Sequence, residues 1–470
     1  MDVLSEIAAG FRLRFPVDGA DLAQSLANLG SGESIIQTLL QFERLGLPGV
    51  AELWRVAIEE SPLKTSDRVW AAIRNSHDGV LRTAYGVLVG SEKLVMEVFE
   101  NASNRYTVNG YAQRMACSFG EIYLGLDDGQ DYRSQSTVVN AAIGAITEGS
   151  AFNDAFAATN LVLADFVSAA KLAAGSAATW DVSFAIKDVI EPVLAKLCES
   201  WFGIPDGVNV LAGGIDGNWI PGPGSPPRCP GHYGAPSGYI FQPNPIVLLQ
   251  LAGQLHGKAL KAALDAFVAQ HRTGGTSPTQ PVSNVIFSVY PNNANGNEMI
   301  ARTIIGVMMG FIPTTDGNLR EVVSQWLSDQ TLGQLSRDFK ADPAATDLPK
   351  AIRFIKKPFM LAMQRRPVPP LVWRTALTDH DLGPEPVSIR SGDKMVISII
   401  SATQQALESH RISVFPIFGG DRSSALHPTH ACPGYEAAMG VMLGVVTALA
   451  AREVSPGLLP SSMRLSGSNP

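Results

Sequence analysis

The residues most suited to chemistry lie near the C-terminal end, in residues 425–434, which read ALHPTHACPG. Cys432 has His430 two residues before it and Gly434 two residues after it, and an apolar run with helical periodicity follows from Tyr435. A thiolate at such a loop-to-helix junction lies near the positive end of the helix dipole, which lowers its pKa. It can therefore bind a soft metal such as iron. The alternative is a buried, unreactive cysteine.

A second metal-binding arrangement is also open at this segment. His427, His430 and Cys432, spaced as HPTHAC, could bind a bare zinc or iron ion, and three protein ligands is the number that catalytic sites use. Ligands this close together need an extended strand, whereas Pro428 and Gly434 indicate a loop. We therefore keep this non-haem site as an alternative.

The same segment resembles the haem-binding loop of cytochromes P450, whose signature is Phe-x-x-Gly-x-(Arg/His)-x-Cys-x-Gly. His430, Cys432 and Gly434 match this signature, whereas Ala425 and Pro428 stand in place of its Phe and its first Gly. The resemblance implies that haem b is bound through the Cys432 thiolate, with His430 and Gly434 beside the cofactor.

Residues 299–312 are apolar nearly all round, which predicts a buried helix. The segment resembles the I helix of cytochromes P450, which carries (Ala/Gly)-Gly-x-(Asp/Glu)-Thr. The best register places Thr314 on the family threonine and Pro313 on the acid, so Pro313 is expected to kink the helix. The resemblance implies catalytic roles for Thr314 and Thr315. It also implies a substrate pocket lined by Met308, Gly310, Phe311, Ile312 and Pro313.

Two further stretches resemble the family and depart from it. Residues 361–374 have the Pro-rich turn that follows the K helix, and Arg374 matches an arginine that binds a haem carboxylate. Leu361 and Gln364 replace the Glu and Arg of the K-helix ion pair, and a fold can survive that loss. At the expected C-helix start, Arg133 could take over haem binding. The alternative for Arg133 is a solvated charge at a helix start.

The order of predicted elements supports a mainly α fold with small β-sheets, arranged as in cytochromes P450. Residues 79–90 have an alternating pattern with a glycine at each end, which predicts a β-hairpin. Ser91 is placed to cap a helix over 92–100. Helices are also predicted over 157–172 and 181–202. We expect one domain over 1–470, with a helical region over 1–78 and a Gly/Pro-rich lid loop over 211–245, above the substrate entrance.

Composition excludes several classes of function. The net charge of −7 disfavours a nucleic-acid partner, which would require a basic face. The four cysteines form no CxxC pair, which indicates a reducing compartment. We see no signal peptide and no membrane anchor, and expect a cytoplasmic protein.

The resemblance implies a monooxygenase that inserts oxygen into a small apolar or aromatic substrate, with electrons from a ferredoxin and its reductase. Pro313 cannot supply a proton, which favours two reaction types of the family that need no proton relay. These are a peroxide-driven peroxygenase and a hydroperoxide or endoperoxide isomerase, and we keep both as alternatives.

Overall fold

The computed structural model describes residues 24–59, 65–204, 233–275, 277–422, 428–459 and 461–468. Ala425, His427 and most of the predicted lid loop, residues 211–232, lie outside these ranges. The chain divides into two compact parts, each considered separately below. We call them the sheet part (described residues of 1–110, 242–244 and 369–431) and the helical part (those of 111–241, 245–368 and 432–470). The prediction of one domain stays a prediction.

The helices, numbered α1 to α17 in chain order, are Gly32–Arg44, Val50–Ile58, Thr65–Ser76, Glu92–Glu100, Asn109–Ala116, Gln130–Gly144, Glu148–Ala174, Lys187–Phe202, Gly234–Phe241, Val247–Thr273, Pro281–Val289, Ala294–Ser328, Thr331–Ala341, Leu348–Ala351, Lys357–Arg365, Ile399–Glu408 and Tyr435–Ala451. The strands, β1 to β10, are Val80–Thr83, Gly86–Val89, Tyr106–Thr107, Thr179–Ala185, Leu371–Ala376, His380–Leu382, Val387–Ile389, Lys394–Ser398, Ser455–Pro456 and Ser462–Ser468. A π-helical turn, Ile352–Lys356, joins α14 to α15.

The sheet part is built on a five-stranded mixed sheet in the order β1-β2-β8-β5-β3. The predicted hairpin is confirmed as β1 and β2, which pair antiparallel, and β2 continues parallel onto β8. Ser91 caps α4 as predicted, because its side chain accepts from the backbone N–H of Leu94. A buried core between the sheet and α1 to α3 contains Trp54, Trp70 and Leu88. Side chains of the hairpin, of β5 and of β8 all pack into this core.

The helical part is centred on α17 and α7, which pack closely along their lengths. A Cβ atom added at Gly440 would lie 2.3 Å from the Glu148 carbonyl oxygen, and one at Gly444 would lie 2.5 Å from that of Phe152. The absence of side chains at these two positions therefore allows the two backbones to approach. Among the described helices, α7 alone has the length and composition to cross a membrane. That is weak evidence for a span, and 33% of its apolar window is buried in the structure.

The long helix α12 confirms the prediction of a buried helix over 299–312. It runs from Ala294 to Ser328 with Pro313 inside it, so the proline does not end the helix. Within the helical part it packs against α8, α10, α15 and α17. This places its central turns in the interior of that part.

Two sequence predictions are wrong in detail. The helix predicted from Asp181 begins at Lys187, because residues 179–185 form β4, which pairs antiparallel with β10. Within the predicted lid loop, Gly234–Phe241 is a helix. Pro236 is tolerated there since it lies in the first turn, where a missing N–H costs nothing. The wider prediction, a mainly α fold with small sheets, is confirmed.

Candidate functional site

Cys432 lies three residues before the first residue of α17, and it is half-buried. A Cβ added at Gly434 would lie 3.8 Å from its Sγ, so a side chain at this position would touch the sulfur. The following helix is buried on nearly every face. Cys198, by contrast, is fully buried, and burial raises the pKa of its thiol. Of these two thiols, Cys432 is the one that lies just before a helix start.

The loop before the cysteine belongs to the sheet part. Arg422 donates a hydrogen bond to the Ala431 carbonyl at 2.8 Å. Gly419 and Gly420 both adopt positive φ angles, and a Cβ at Gly420 would lie 2.5 Å from Cγ of Pro428. Sequence reasoning missed these supports of the loop that carries His430. The adjacent glycines were the available signal, since such pairs mark turns.

The residues of α12 that were assigned catalytic roles differ in exposure. Gly310 is exposed, and a Cβ added there would meet no atom within 4 Å. One turn later Thr314 is half-buried, and its hydroxyl donates to the Gly310 carbonyl at 2.5 Å. Thr315 is buried, and within the described residues its Oγ1 has no hydrogen-bond partner.

The predicted pocket residues do not all lie on the same face of α12. Met308 is fully buried, and its Sδ accepts a hydrogen bond from the Tyr233 hydroxyl at 2.9 Å. Ile312 is also fully buried, and the ring of Phe311 packs against Trp201 at 5.3 Å between centroids. The open space lies beside Gly310, whereas Met308 and Ile312 lie within the packing.

One acid that the sequence analysis did not assign follows the two threonines. Asp316 is almost completely buried, and its Oδ1 accepts from Nε of Arg320 at 2.9 Å. Arg320 also pairs with Glu191. Asp316 is two residues beyond Thr314, which is about 200° around the helix. Its carboxylate is therefore held by Arg320 and lies away from the Thr314 face.

Arg374 lies on β5 in the sheet part, with its side chain half-buried. Its Nη1 donates to the Trp373 carbonyl at 2.9 Å, and its guanidinium lies 5.9 Å from the centroid of the Phe99 ring. Gln364, which replaces the arginine of the family's K-helix pair, is fully buried on α15 in the helical part. A neutral amide at this buried position needs no counter-charge.

Arg133 has a different environment from Arg374. It lies in the first turn of α6 with 71% of its side chain exposed, and its Nε donates to Asp128 at 2.9 Å. This geometry matches the solvated charge that we kept as the alternative for Arg133.

Among the described residues, no three His, Cys, Asp or Glu side chains come together as a metal site. His427 lies outside these residues, so the alternative site at His427, His430 and Cys432 stays a prediction.

Known structures resemble this chain, although its sequence does not match known families. No family model matches it, and no curated protein matches it by sequence. Open cytochrome P450 EryK from S. erythraea is 16% identical, covers 87% of this chain and 97% of its own, and has a TM-score of 0.59. Cytochrome P450SP alpha (CYP152B1) in complex with (R)-ibuprophen is 13% identical, with coverages of 84% and 95% and a TM-score of 0.59.

A third similar structure is P450BioI in complex with an acyl carrier protein ligated to hexadec-9Z-enoic acid. It is 14% identical, covers 81% of this chain and 90% of its own, and has a TM-score of 0.54. The chain has the cytochrome P450 fold, as its motifs and the order of its elements predicted.

Proposed function

We propose that this chain is a haem-thiolate oxidoreductase of cytochrome P450 type that inserts oxygen into a small apolar or aromatic substrate. The observation that carries the proposal is Cys432 in the loop directly before α17, in a chain with the cytochrome P450 fold. Haem b bound through this thiolate supplies an iron whose electron-rich sulfur ligand favours cleavage of the O–O bond.

The residues around the sulfur support this role. The N-terminal end of α17 stabilises the charged thiolate. The apolar side chains of α17 exclude water from the buried side of that helix. Arg374 and His430, both half-buried, are suited to bind the haem carboxylates by charge-assisted hydrogen bonds. Arg133 is a weaker candidate for this binding, since it is exposed and paired with Asp128.

The central turn of α12 supports a substrate role for the space beside Gly310. A Cβ added at Gly310 would meet no atom within 4 Å, which leaves space for a small substrate beside this turn. The hydroxyl of Thr314 already donates its hydrogen to the Gly310 carbonyl, so it can only accept a further hydrogen bond. Pro313 has no proton to give, and Asp316 is engaged by Arg320.

This arrangement favours peroxide-driven chemistry as the second candidate function. Peroxide brings both the electrons and most of the protons that a ferredoxin and its reductase would otherwise deliver. A peroxygenase or a hydroperoxide or endoperoxide isomerase therefore has less need of an acid beside Thr314.

The visible spectrum of the reduced carbon monoxide complex tests the proposal. We expect a band at the thiolate position in the wild type, and loss of that position in Cys432→Ser. Cys117→Ser is the control, because Cys117 is an exposed cysteine elsewhere in the helical part, and it should keep the band. An unchanged spectrum in Cys432→Ser would overturn the assignment of the ligand.

Haem retention tests the carboxylate partners. We expect Arg374→Ala and His430→Ala to contain less haem per chain after gel filtration, because each removes one charge-assisted donor. Arg133→Ala should retain the wild-type content, since its guanidinium is exposed. Full haem content in both Arg374→Ala and His430→Ala would contradict their role.

A further inference from the structure

The central turns of α12 are buried except along one face, which Gly310, Pro313 and Thr314 share. Gly310 is exposed, and the other two residues are half-buried. Residues three and four positions apart lie on the same side of a helix, so these three form one continuous face. The groups on this face determine which hydrogen bonds a substrate beside Gly310 can make.

The Met309 carbonyl is an acceptor that the proline leaves without its usual donor. In an α-helix each carbonyl oxygen accepts from the N–H four residues later, and for Met309 that residue is Pro313, which has no N–H. Among the described residues no side chain donates to this oxygen. The oxygen belongs to the peptide unit that ends at the Cα of Gly310, where an added Cβ would meet no atom within 4 Å. A ligand in that space can therefore donate a hydrogen bond to it.

The Thr314 hydroxyl is a second acceptor on the same face. Its hydrogen is directed to the Gly310 carbonyl at 2.5 Å, which leaves only its lone pairs for a ligand. The backbone N–H groups of this turn bond within the helix, and the side chain of Pro313 is apolar. Among the described residues of this turn, the face therefore offers acceptors and no donor.

The charged residues of α12 that lie closest in sequence to this face are already paired. Residues 303–315 contain no charged side chain. On one side of them Arg302 pairs with Glu298 at 3.0 Å, and on the other Asp316 accepts from Arg320 at 2.9 Å. A charged group on a substrate would therefore lose its hydration beside this turn without gaining a counter-charge from α12.

On the basis of the proposed function, which makes the space beside Gly310 the substrate site, we propose that the substrate carries a neutral hydrogen-bond donor. An O–H or N–H group on its apolar body donates to the Met309 carbonyl. A ketone of the same skeleton has no hydrogen to donate, so its oxygen would exchange hydrogen bonds with water for a contact with an acceptor. Pro313 and Gly310 thus select for a donor, because one removes the internal N–H and the other leaves the oxygen uncovered.

Isothermal titration of the full-length protein with matched alcohols and ketones tests the proposal. The pairs are octan-2-ol with octan-2-one and 1-indanol with 1-indanone, and the members of each pair have the same carbon skeleton. We expect the better-fitting alcohol to bind at least about tenfold more tightly than its ketone. In Pro313→Ala this ratio should fall toward one, because the new N–H occupies the Met309 carbonyl. Pro192→Ala is the matched control, since Pro192 also lies inside a helix, α8, of the helical part, and it should keep the ratio.

Each variant is judged by the ratio of two ligands, so a general loss of stability cannot imitate the expected change. Equal binding of alcohol and ketone by the wild type would overturn the proposal, as would the absence of binding by both alcohols. A preference that Pro313→Ala leaves unchanged would also overturn it.

The reduced carbon monoxide spectrum of the same samples separates this proposal from the proposed function. A missing thiolate band together with a preserved alcohol preference would contradict the proposed function alone. A thiolate band together with equal binding of alcohol and ketone would contradict the donor requirement alone.

Discussion

Thr314 follows a proline rather than an acid, and this residue choice determines which groups can move protons. Pro313 lacks an N–H, so the Met309 carbonyl loses its usual helix donor. The Thr314 hydroxyl donates to the Gly310 carbonyl at 2.5 Å, and the Asp316 carboxylate is held by Arg320. None of these three described groups has a proton available for a substrate at this turn of α12.

We therefore predict that hydrogen peroxide supports faster product formation than a ferredoxin and its reductase. Pro313→Glu should raise the ferredoxin-supported rate relative to the peroxide-supported rate by about tenfold or more, because it adds a general acid. Pro313→Ala is the matched control, since it restores the N–H without an acid. The measurement is product formed per haem under the two supplies. A wild type that couples ferredoxin electrons efficiently and ignores peroxide would contradict this reading of Pro313.

At the scale of elements, the contact between α7 and α17 positions the helix that follows Cys432. Gly440 and Gly444 are four residues apart and so lie on one face of α17. Both face backbone carbonyl oxygens of α7, at Glu148 and Phe152. The position of α17 therefore depends on the absence of two Cβ atoms.

Gly444→Ala should lower the free energy of unfolding by about 1–3 kcal/mol, since its new Cβ would lie 2.5 Å from the Phe152 oxygen. Gly333→Ala is the matched control. Its Cβ would meet only Nη1 of Arg337 at 3.8 Å, and it should stabilise α13 by about 0.5–1 kcal/mol. Urea unfolding measures both variants. Equal stability of the two would show that the backbones of α7 and α17 are not in tight contact.

At the scale of the whole molecule, the half-buried carboxyl of Glu59 makes the stability of the chain depend on pH. Glu59 accepts hydrogen bonds from Arg55 at 2.7 Å, from Tyr85 at 3.2 Å and from Gln242 at 3.1 Å. Burial nevertheless raises the pKa of Glu59 above its ordinary value of 4.5. The folded chain therefore binds more protons than the unfolded chain at pH values between 4.5 and the folded pKa.

The sign of this dependence follows from proton binding. The contribution of Glu59 to stability is greatest below pH 4.5, and it is lost as the pH rises through the folded pKa. The free energy of unfolding of the wild type should therefore fall relative to that of Glu59→Gln as the pH rises from 4.5. Urea unfolding of the two proteins at a series of pH values measures the difference. A difference that is constant with pH would contradict the prediction.

The features that the sequence by itself determined are those that depend on neighbours along the chain. The hairpin of β1 and β2 follows from an alternating pattern with a glycine at each end. The cap at Ser91 depends only on its own side chain and the helix that follows it. The apolar run in α12 and the position of Cys432 before α17 follow from helical spacing in the same way. Local spacing was enough in each case because the interaction joins residues close in sequence.

Tertiary structure alone decided the features that need a distant partner. Thr179–Ala185 became a strand because β10 supplies its backbone hydrogen bonds. That partner strand lies far along the chain, so the sequence of residues 181–202 gives no sign of it. Gly234–Phe241 became a helix within a Gly/Pro-rich stretch because it buries Tyr239 and Ile240. One cleft of the sheet part likewise has Arg55 and Lys394 in its lining, although these residues are far apart in the sequence. Contacts between such remote segments leave no repeating pattern in the sequence. They form only when the chain is folded.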